Sequence, residues 1–254
     1  MIAVRRRGLS SSVDRGRILH SRAMTSRSTP DADAEISTDA APGVDPPAFD
    51  AAFRRDLEAL FRWRRDVRRF RADTVDPALL NGLIGLAALA PSVGNAQPWR
   101  FVKVDSPGRR AEVRANFEAC NRDALASYAG ERARLYARLK LDGLDQAPVH
   151  LAVFVDTATD LGHGLGRRTM PETLAYSVVG AVHALWLAAR AHGIGLGWVS
   201  ILDGEQIRSV LAVPASWRLI AYLCIGYPVE EHLDPELGRH GWQERVAATP
   251  IWVR

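Results

Sequence analysis

Five consecutive residues, Arg64-Arg65-Asp66-Val67-Arg68, set three guanidinium groups around one carboxylate. Guanidinium forks bind phosphate and carboxylate oxygens through paired, charge-assisted hydrogen bonds, so such a run suits an anionic ligand. Farther along, Pro91-Ser92-Val93-Gly94-Asn95-Ala96-Gln97-Pro98 offers hydroxyl, amide and backbone N–H groups in a loop that breaks a helix and enters a strand at Trp99. A third segment, Gly195-Leu196-Gly197-Trp198-Val199-Ser200, has two glycines that permit close backbone approach and ends in a hydroxyl. Taken singly, an arginine run is a solvated helix end and a Pro/Gly/Asn loop is a turn. Taken in this order they suit a phosphorylated, planar ligand.

The order Arg-Arg-x-x-Arg, then Pro-Ser-x-x-Asn-x-Gln-Pro-Trp, resembles the flavin-binding signature of the nitroreductase-like FMN proteins. Asp66, where that signature usually holds a serine, narrows the resemblance, as do Ser200 and the segment Gly162-His163-Gly164-Leu165-Gly166-Arg167-Arg168-Thr169-Met170-Pro171-Glu172. All three are similar to the 5,6-dimethylbenzimidazole synthase branch, which fragments reduced FMN with oxygen to make the lower ligand of vitamin B12. The likeness spans roughly residues 50 to 245. It implies an α+β fold with a central, mainly antiparallel sheet flanked by helices, in an intertwined homodimer.

The resemblance places Arg64, Arg65, Asp66, Val67, Arg68, Ser92, Gly195, Leu196, Gly197, Ser200 and Arg239 against FMN. In it Arg64 and Arg65 hold phosphate and ribityl oxygens, Arg68 answers the charge at flavin N1, and Ser92 reaches the phosphate from the neighbouring subunit. Arg239 is a further phosphate ligand, with Arg245 as its rival. On composition alone Asp66 is an ion-pair partner and Ser200 a strand serine; the resemblance gives both catalytic roles, proton transfer for Asp66 and hydrogen bonding near N5 for Ser200. Asn95 and Gln97 brace the loop, and Ser177 bonds its own helix carbonyl four residues earlier. The implied reaction takes FMNH2 from a separate flavin reductase, and O2, to 5,6-dimethylbenzimidazole and erythrose 4-phosphate. Two other activities compete: an NAD(P)H-dependent FMN nitroreductase or quinone reductase, and a non-catalytic flavin-binding protein.

The elements that carry these residues follow from periodicity. Phe53, Leu57, Leu60 and Phe61 predict a helix over 49–63 that ends at the arginine cluster. Asp76-Pro77 caps a largely apolar helix reaching Ala90. Strands are predicted over 99–104, 149–156 and 217–227, the second a continuous apolar run buried on both faces. The charged stretch 111–144 predicts amphipathic helix lying as a cap over the core, with 121–144 a candidate lid. Residues 171–193 form the strongest helix, started by Pro171 and stopped by Gly193, and its Ser177, His183 and Arg190 argue against a membrane span. Asp203 caps a short helix to Val213. The Gly-x-Gly-x-Gly of 162–166 lacks the remaining spacing and the acidic residue of a dinucleotide fingerprint, so it is read as a loop. The apolar end, 249–253, is expected to embrace a partner subunit.

Composition sets the bounds. The 254 residues carry a net charge of +4, yet the first 27 hold seven arginines against one acid, leaving −2 on the rest. No basic, aromatic-interleaved stripe remains, which argues against a nucleic-acid partner. Residues 1–46 have the composition of a disordered extension, and 47–254 that of one FMN domain. Two distant cysteines, Cys120 and Cys224, fit a reducing cytoplasm rather than a disulfide framework. The seven histidines show no metal-ligand spacing.

Overall fold

In the computed structural model, residues 45–139, 143–246 and 249–254 are described, so the expected extension over 1–46 lies almost wholly outside them. The helices are α1 (Ala51–Trp63), α2 (Pro77–Ala87), α3 (Pro107–Ala126), α4 (Gly130–Arg138), α5 (Gly143–Gln146), α6 (Thr173–Ala191), α7 (Gly204–Leu211) and α8 (Glu236–Arg239). The strands are β1 (Trp99–Lys103), β2 (Val149–Asp156), β3 (Gly195–Val199) and β4 (Trp217–Gly226). They pair antiparallel throughout, in the order β1-β2-β4-β3.

β2 and β4 lie at the centre of the sheet, and their alternation sorts the core into two layers. Leu151, Val153 and Val155 of β2, with Ala221, Leu223 and Ile225 of β4, face α2 and α6. Ala152 and Phe154, with Tyr222 and Cys224, face α3 and α7. A strand covered on both sides has no wet face, which is why β2 reads as an unbroken apolar run. α6 supplies Leu174, Val178, Ala181, Val182 and Leu185 to the first layer. It is the one described helix long and apolar enough to cross a membrane, and it is packed against α2 and the sheet.

Asp76 and Asp203 start helices as expected, accepting from Ala78 N and Glu205 N at 2.9 Å each; Asp50, expected inside the first helix, instead caps it by accepting from Phe53 N at 2.8 Å. Two expectations change. The second helix closes at Ala87, and residues 88–90 form a turn. The stretch 111–144 is not a single cap: α3 places Val113 and Asn116 in the core, Asn116 bonding Gln206 and the Asp203 backbone, and Gly143 and Leu144 are buried again, whereas α4 between them has no buried residue among those described. The charge pattern marked the wet face of α3 and concealed its buried one.

Candidate functional site

α1 stops at Trp63 because Arg64 turns to extended backbone (φ −67°, ψ 120°), and the chain then runs along the outer edge of β3. Val67 N donates to Leu196 O at 2.9 Å, and Trp198 N, next along the same edge, donates to Asp66 Oδ1 at 2.9 Å. The Asp66 side chain thus stands in for a missing strand partner. Farther on, Arg71 N donates to Tyr227 O at 2.8 Å and Val229 N to Arg69 O at 3.2 Å, so the same segment also holds the chain leaving β4.

Gly195 and Gly197 make this approach possible. A Cβ on Gly195 would lie 2.6 Å from Val67 Cγ2, and one on Gly197 would lie 2.1 Å from the Val67 carbonyl oxygen. The space those glycines open, read from the sequence as room for a flat ligand, is taken by Val67.

The arginine segment, α6 and the strap 228–239 line one cleft. Arg64, Arg65, Asp66, Val67, Arg68, Gly195 and Arg239 all line it. Most of its cations are matched. Arg190 holds Glu231 in two bonds of 2.7 and 2.9 Å, Arg69 pairs with Glu230, and Arg239 lies 3.3 Å from Asp234. Arg65 donates to the carbonyls of Leu233 (2.8 Å), Arg64 (2.7 Å) and Arg62, bracing the strap against the end of α1.

Arg64 differs. Its guanidinium lies 5.0 Å from the centroid of the Trp186 ring, and among the described residues it is the cleft arginine with no hydrogen-bond or carboxylate partner. Burial lowers its pKa; Asp66 opposes that and the field of Arg245 adds to it.

Asp66 sits at the inner wall. Its side chain keeps 38 % exposure through the cleft mouth, while Arg68, 12 % exposed, brings Nε to 3.5 Å from Oδ2. Desolvation raises the carboxyl above the ordinary carboxylate range, against the lowering effects of the Trp198 N–H and Arg68. Behind it lies a smaller cavity of about 210 Å³ that reaches Gly143, Gly197 and Cys224. Burial, with the nearby Asp66, pushes the Cys224 thiol up to about 12, so it stays protonated at neutral pH.

Other residues read from the sequence lie elsewhere. Leu196 is buried beneath the Asp66 segment, and Gly197 faces the smaller cavity. Ser92 opens the turn after α2, where its Oγ accepts from Gln97 N at 3.0 Å; it does not line the cleft of its own chain. Ser200 follows the end of β3, is exposed, and lines neither cavity. Arg245 lines an adjoining pocket of about 660 Å³ that shares Arg239 with the cleft.

Asn95 and Gln97 take left-handed backbone (φ 56° and 42°) and bond each other at 3.4 Å, bracing the loop. Ser177 Oγ donates to Thr173 O at 2.7 Å and also accepts from Val93 N at 3.0 Å, which pins that loop to α6. The 162–166 glycines serve the same contact, for a Cβ on Gly162 would come within 2.5 Å of Gly94 O. In the candidate lid, Tyr128 and Tyr136 pack on Trp242 (centroids at 5.5 and 6.2 Å), and none of residues 121–139 lines the cleft.

Sequence reasoning missed Trp186, Arg190 and the strap acids Glu230, Glu231, Asp234 and Glu236. The available signal was an aromatic followed at i+4 by an arginine on an otherwise apolar helix. Among the described residues no cluster of three or more His, Cys, Asp or Glu is arranged to hold a metal.

Comparison with known proteins agrees with this architecture. The nitroreductase family profile matches residues 61–227. A 5,6-dimethylbenzimidazole synthase of Rhodospirillum rubrum is 59 % identical over 78 % of this chain and 94 % of its own, and one of Rhodobacter capsulatus is 51 % identical over 78 % and 96 %. Among solved structures, iodotyrosine deiodinase bound to FMN and 3-iodo-L-tyrosine superposes with a TM-score of 0.61 at 25 % identity, covering 78 % of this chain and 97 % of its own. The family match over 61–227 and these identities over most of both chains settle the kinship: the chain belongs to the nitroreductase family, in the group of the 5,6-dimethylbenzimidazole synthases.

Proposed function

We propose that the cleft takes the phosphate-bearing part of reduced FMN and that the protein, with O2, fragments this flavin to 5,6-dimethylbenzimidazole and erythrose 4-phosphate. The observation that carries the reading is Arg64, a half-buried guanidinium with an aromatic face beneath it and, among the described residues, no hydrogen-bonded or ion-paired partner. A desolvated cation of this kind is completed by an anionic ligand. Arg239, which would exchange Asp234 for the ligand, lines the same cleft and Arg245 the adjoining pocket, so the donor set fits a phosphate. Bound reduced FMN supplies both the electrons that reduce oxygen and the carbon atoms of the product.

The chain's own residues hold the ligand and manage protons. Arg68 keeps positive charge beside Oδ2 of the Asp66 carboxylate, and the Trp198 N–H fixes Oδ1, in a residue that lines the cleft. A carboxyl whose pKa is raised by burial holds and releases a proton nearer to neutral pH than an ordinary aspartate. Ser200, exposed just beyond β3 and outside the cleft of its own chain, would act in this proposal only on a part of the ligand that extends out of the cleft.

The active form in this proposal is a homodimer in a reducing cytoplasm, fed by a separate flavin reductase. α1 buries none of its residues and leaves Phe53, Leu57 and Phe61 exposed, as are Ile251, Trp252 and Val253 at the end of the chain. A second copy covers these surfaces and brings its Ser92 to the phosphate. The test is to mix purified protein with photoreduced FMN in air and follow flavin and products. Loss of flavin with appearance of dimethylbenzimidazole is expected; steady NADH consumption with the flavin intact overturns the proposal.

A further inference from the structure

We infer that Trp186 is the positioning residue that holds Arg64 ready for the flavin phosphate, an inference that rests on the flavin reading of the cleft. Trp186 controls Arg64 from two sides. Its indole face lies under the guanidinium at 5.0 Å, and its Nε1–H donates to the Arg65 carbonyl at 3.0 Å, which fixes the backbone next to Arg64. The ring also stands 6.3 Å from Trp198, the residue whose N–H anchors Asp66. One side chain on α6 therefore ties the arginine cluster to both the helix and β3.

The choice of an aromatic support has a physical reason. A long arginine side chain loses substantial rotamer freedom when it is fixed, and a carboxylate partner would fix it while neutralising it. The other arginines of the cleft show that second solution, Arg190 on Glu231 and Arg239 beside Asp234. Stacking on an indole uses the flat face of the guanidinium and leaves its in-plane N–H fork and its charge available. Arg64 is thus held without being paired, the state an anion receptor requires before the ligand arrives.

The test compares FMN with riboflavin, which has the same ring system and no phosphate. Both are titrated, in oxidised form, against the full-length protein by quenching of flavin fluorescence. Wild-type protein is expected to prefer FMN. Trp186→Leu is expected to weaken FMN about tenfold, in line with a partly desolvated cation–π contact, and to move riboflavin less than about twofold. Trp186→Phe keeps an aromatic face and is expected to retain most of the preference. Arg64→Met is expected to lose the preference, with no further loss when Trp186→Leu is added, since the two residues then act as one unit.

Unfolded protein lowers the active fraction for both ligands alike and cancels in their ratio. A Trp186→Leu protein that keeps the wild-type ratio overturns the inference, as does one that loses both ligands equally, which would make Trp186 a support for the ring system or for the fold. A wild-type protein that binds the two flavins equally overturns the phosphate reading itself, and the inference with it.

Discussion

Replacing Gly197 by alanine tests whether the arginine segment is clamped to β3. The added Cβ would lie 2.1 Å from the Val67 carbonyl oxygen, where real Cβ contacts begin at about 3.0 Å, so backbone must yield by about 0.9 Å. The glycine sits in ordinary strand backbone, so the alanine carries no conformational penalty of its own and the effect is steric. If the 66–68 segment retreats, the bonds Val67 N to Leu196 O and Trp198 N to Asp66 Oδ1, each 2.9 Å, stretch past hydrogen-bonding distance.

Two such bonds at about 1 kcal/mol each, with about 1 kcal/mol of residual overpacking, give a loss of about 3 kcal/mol. In a domain of this size that lowers Tm by about 6–12 °C. FMN affinity is expected to fall at least about tenfold, because Asp66 and Arg68 move with the segment. Gly195→Ala, whose Cβ meets a movable Val67 methyl at 2.6 Å, is expected to cost about 1 kcal/mol. Gly82→Ala, on an exposed helix position with nothing within 4 Å, is expected to stabilise by about 0.5–1 kcal/mol. Urea unfolding and flavin titration of the three variants check the order. A Gly197→Ala protein as stable as Gly82→Ala, with FMN binding unchanged, would refute the clamp.

Asp66→Asn keeps an oxygen for the Trp198 N–H and removes a carboxylate that burial disfavours; it is expected to fold at least as well as wild type and bind FMN, yet form no dimethylbenzimidazole, as measured by chromatography. His150, buried in β2 with Nδ1 2.9 Å from Tyr222 OH, has its pKa lowered by burial from 6.5 to about 4. The unfolded chain takes up that proton first, so stability held above pH 6.5 drains away as pH falls toward 4, by about 3 kcal/mol in all. Urea midpoints at pH 7.5 and pH 4.5 should differ accordingly, and His150→Gln should shrink the difference. Ser177→Ala leaves Val93 N without its acceptor and is expected to cost about 1–2 kcal/mol in the same assay.

Features set by local chemistry were legible in the sequence. The apolar run of β2, the proline and glycine bounding α6, and the aspartate caps each state a structure within a few residues. The convergence of Arg64–Arg68 with Gly195–Trp198 was read only through resemblance, because no periodicity links segments so far apart. The strap shows the same limit more sharply: Phe70 bridges Pro228, and Arg65 grips Leu233 O, contacts that local pattern cannot reveal. Its acids, seen singly, look like solvated surface.

The glycines of β3 serve a contact that the sequence reading did not foresee. Read as openings toward a flat ligand, they are filled by Val67, and that packing brings Asp66 against the Trp198 N–H. A serine at position 66, as in the wider signature, could meet that N–H as well, but it would bring no charge. The carboxylate must instead be carried into a desolvated wall, which raises its pKa, and Arg68 at 3.5 Å only partly offsets the cost. Substituting a group that is harder to bury, at a place where a neutral one could make the same backbone bond, gains nothing for the fold. We propose that the gain lies in proton chemistry at the cleft: Asp66→Asn and Asp66→Ser are both expected to fold and to form no product, and product formation by either overturns that role.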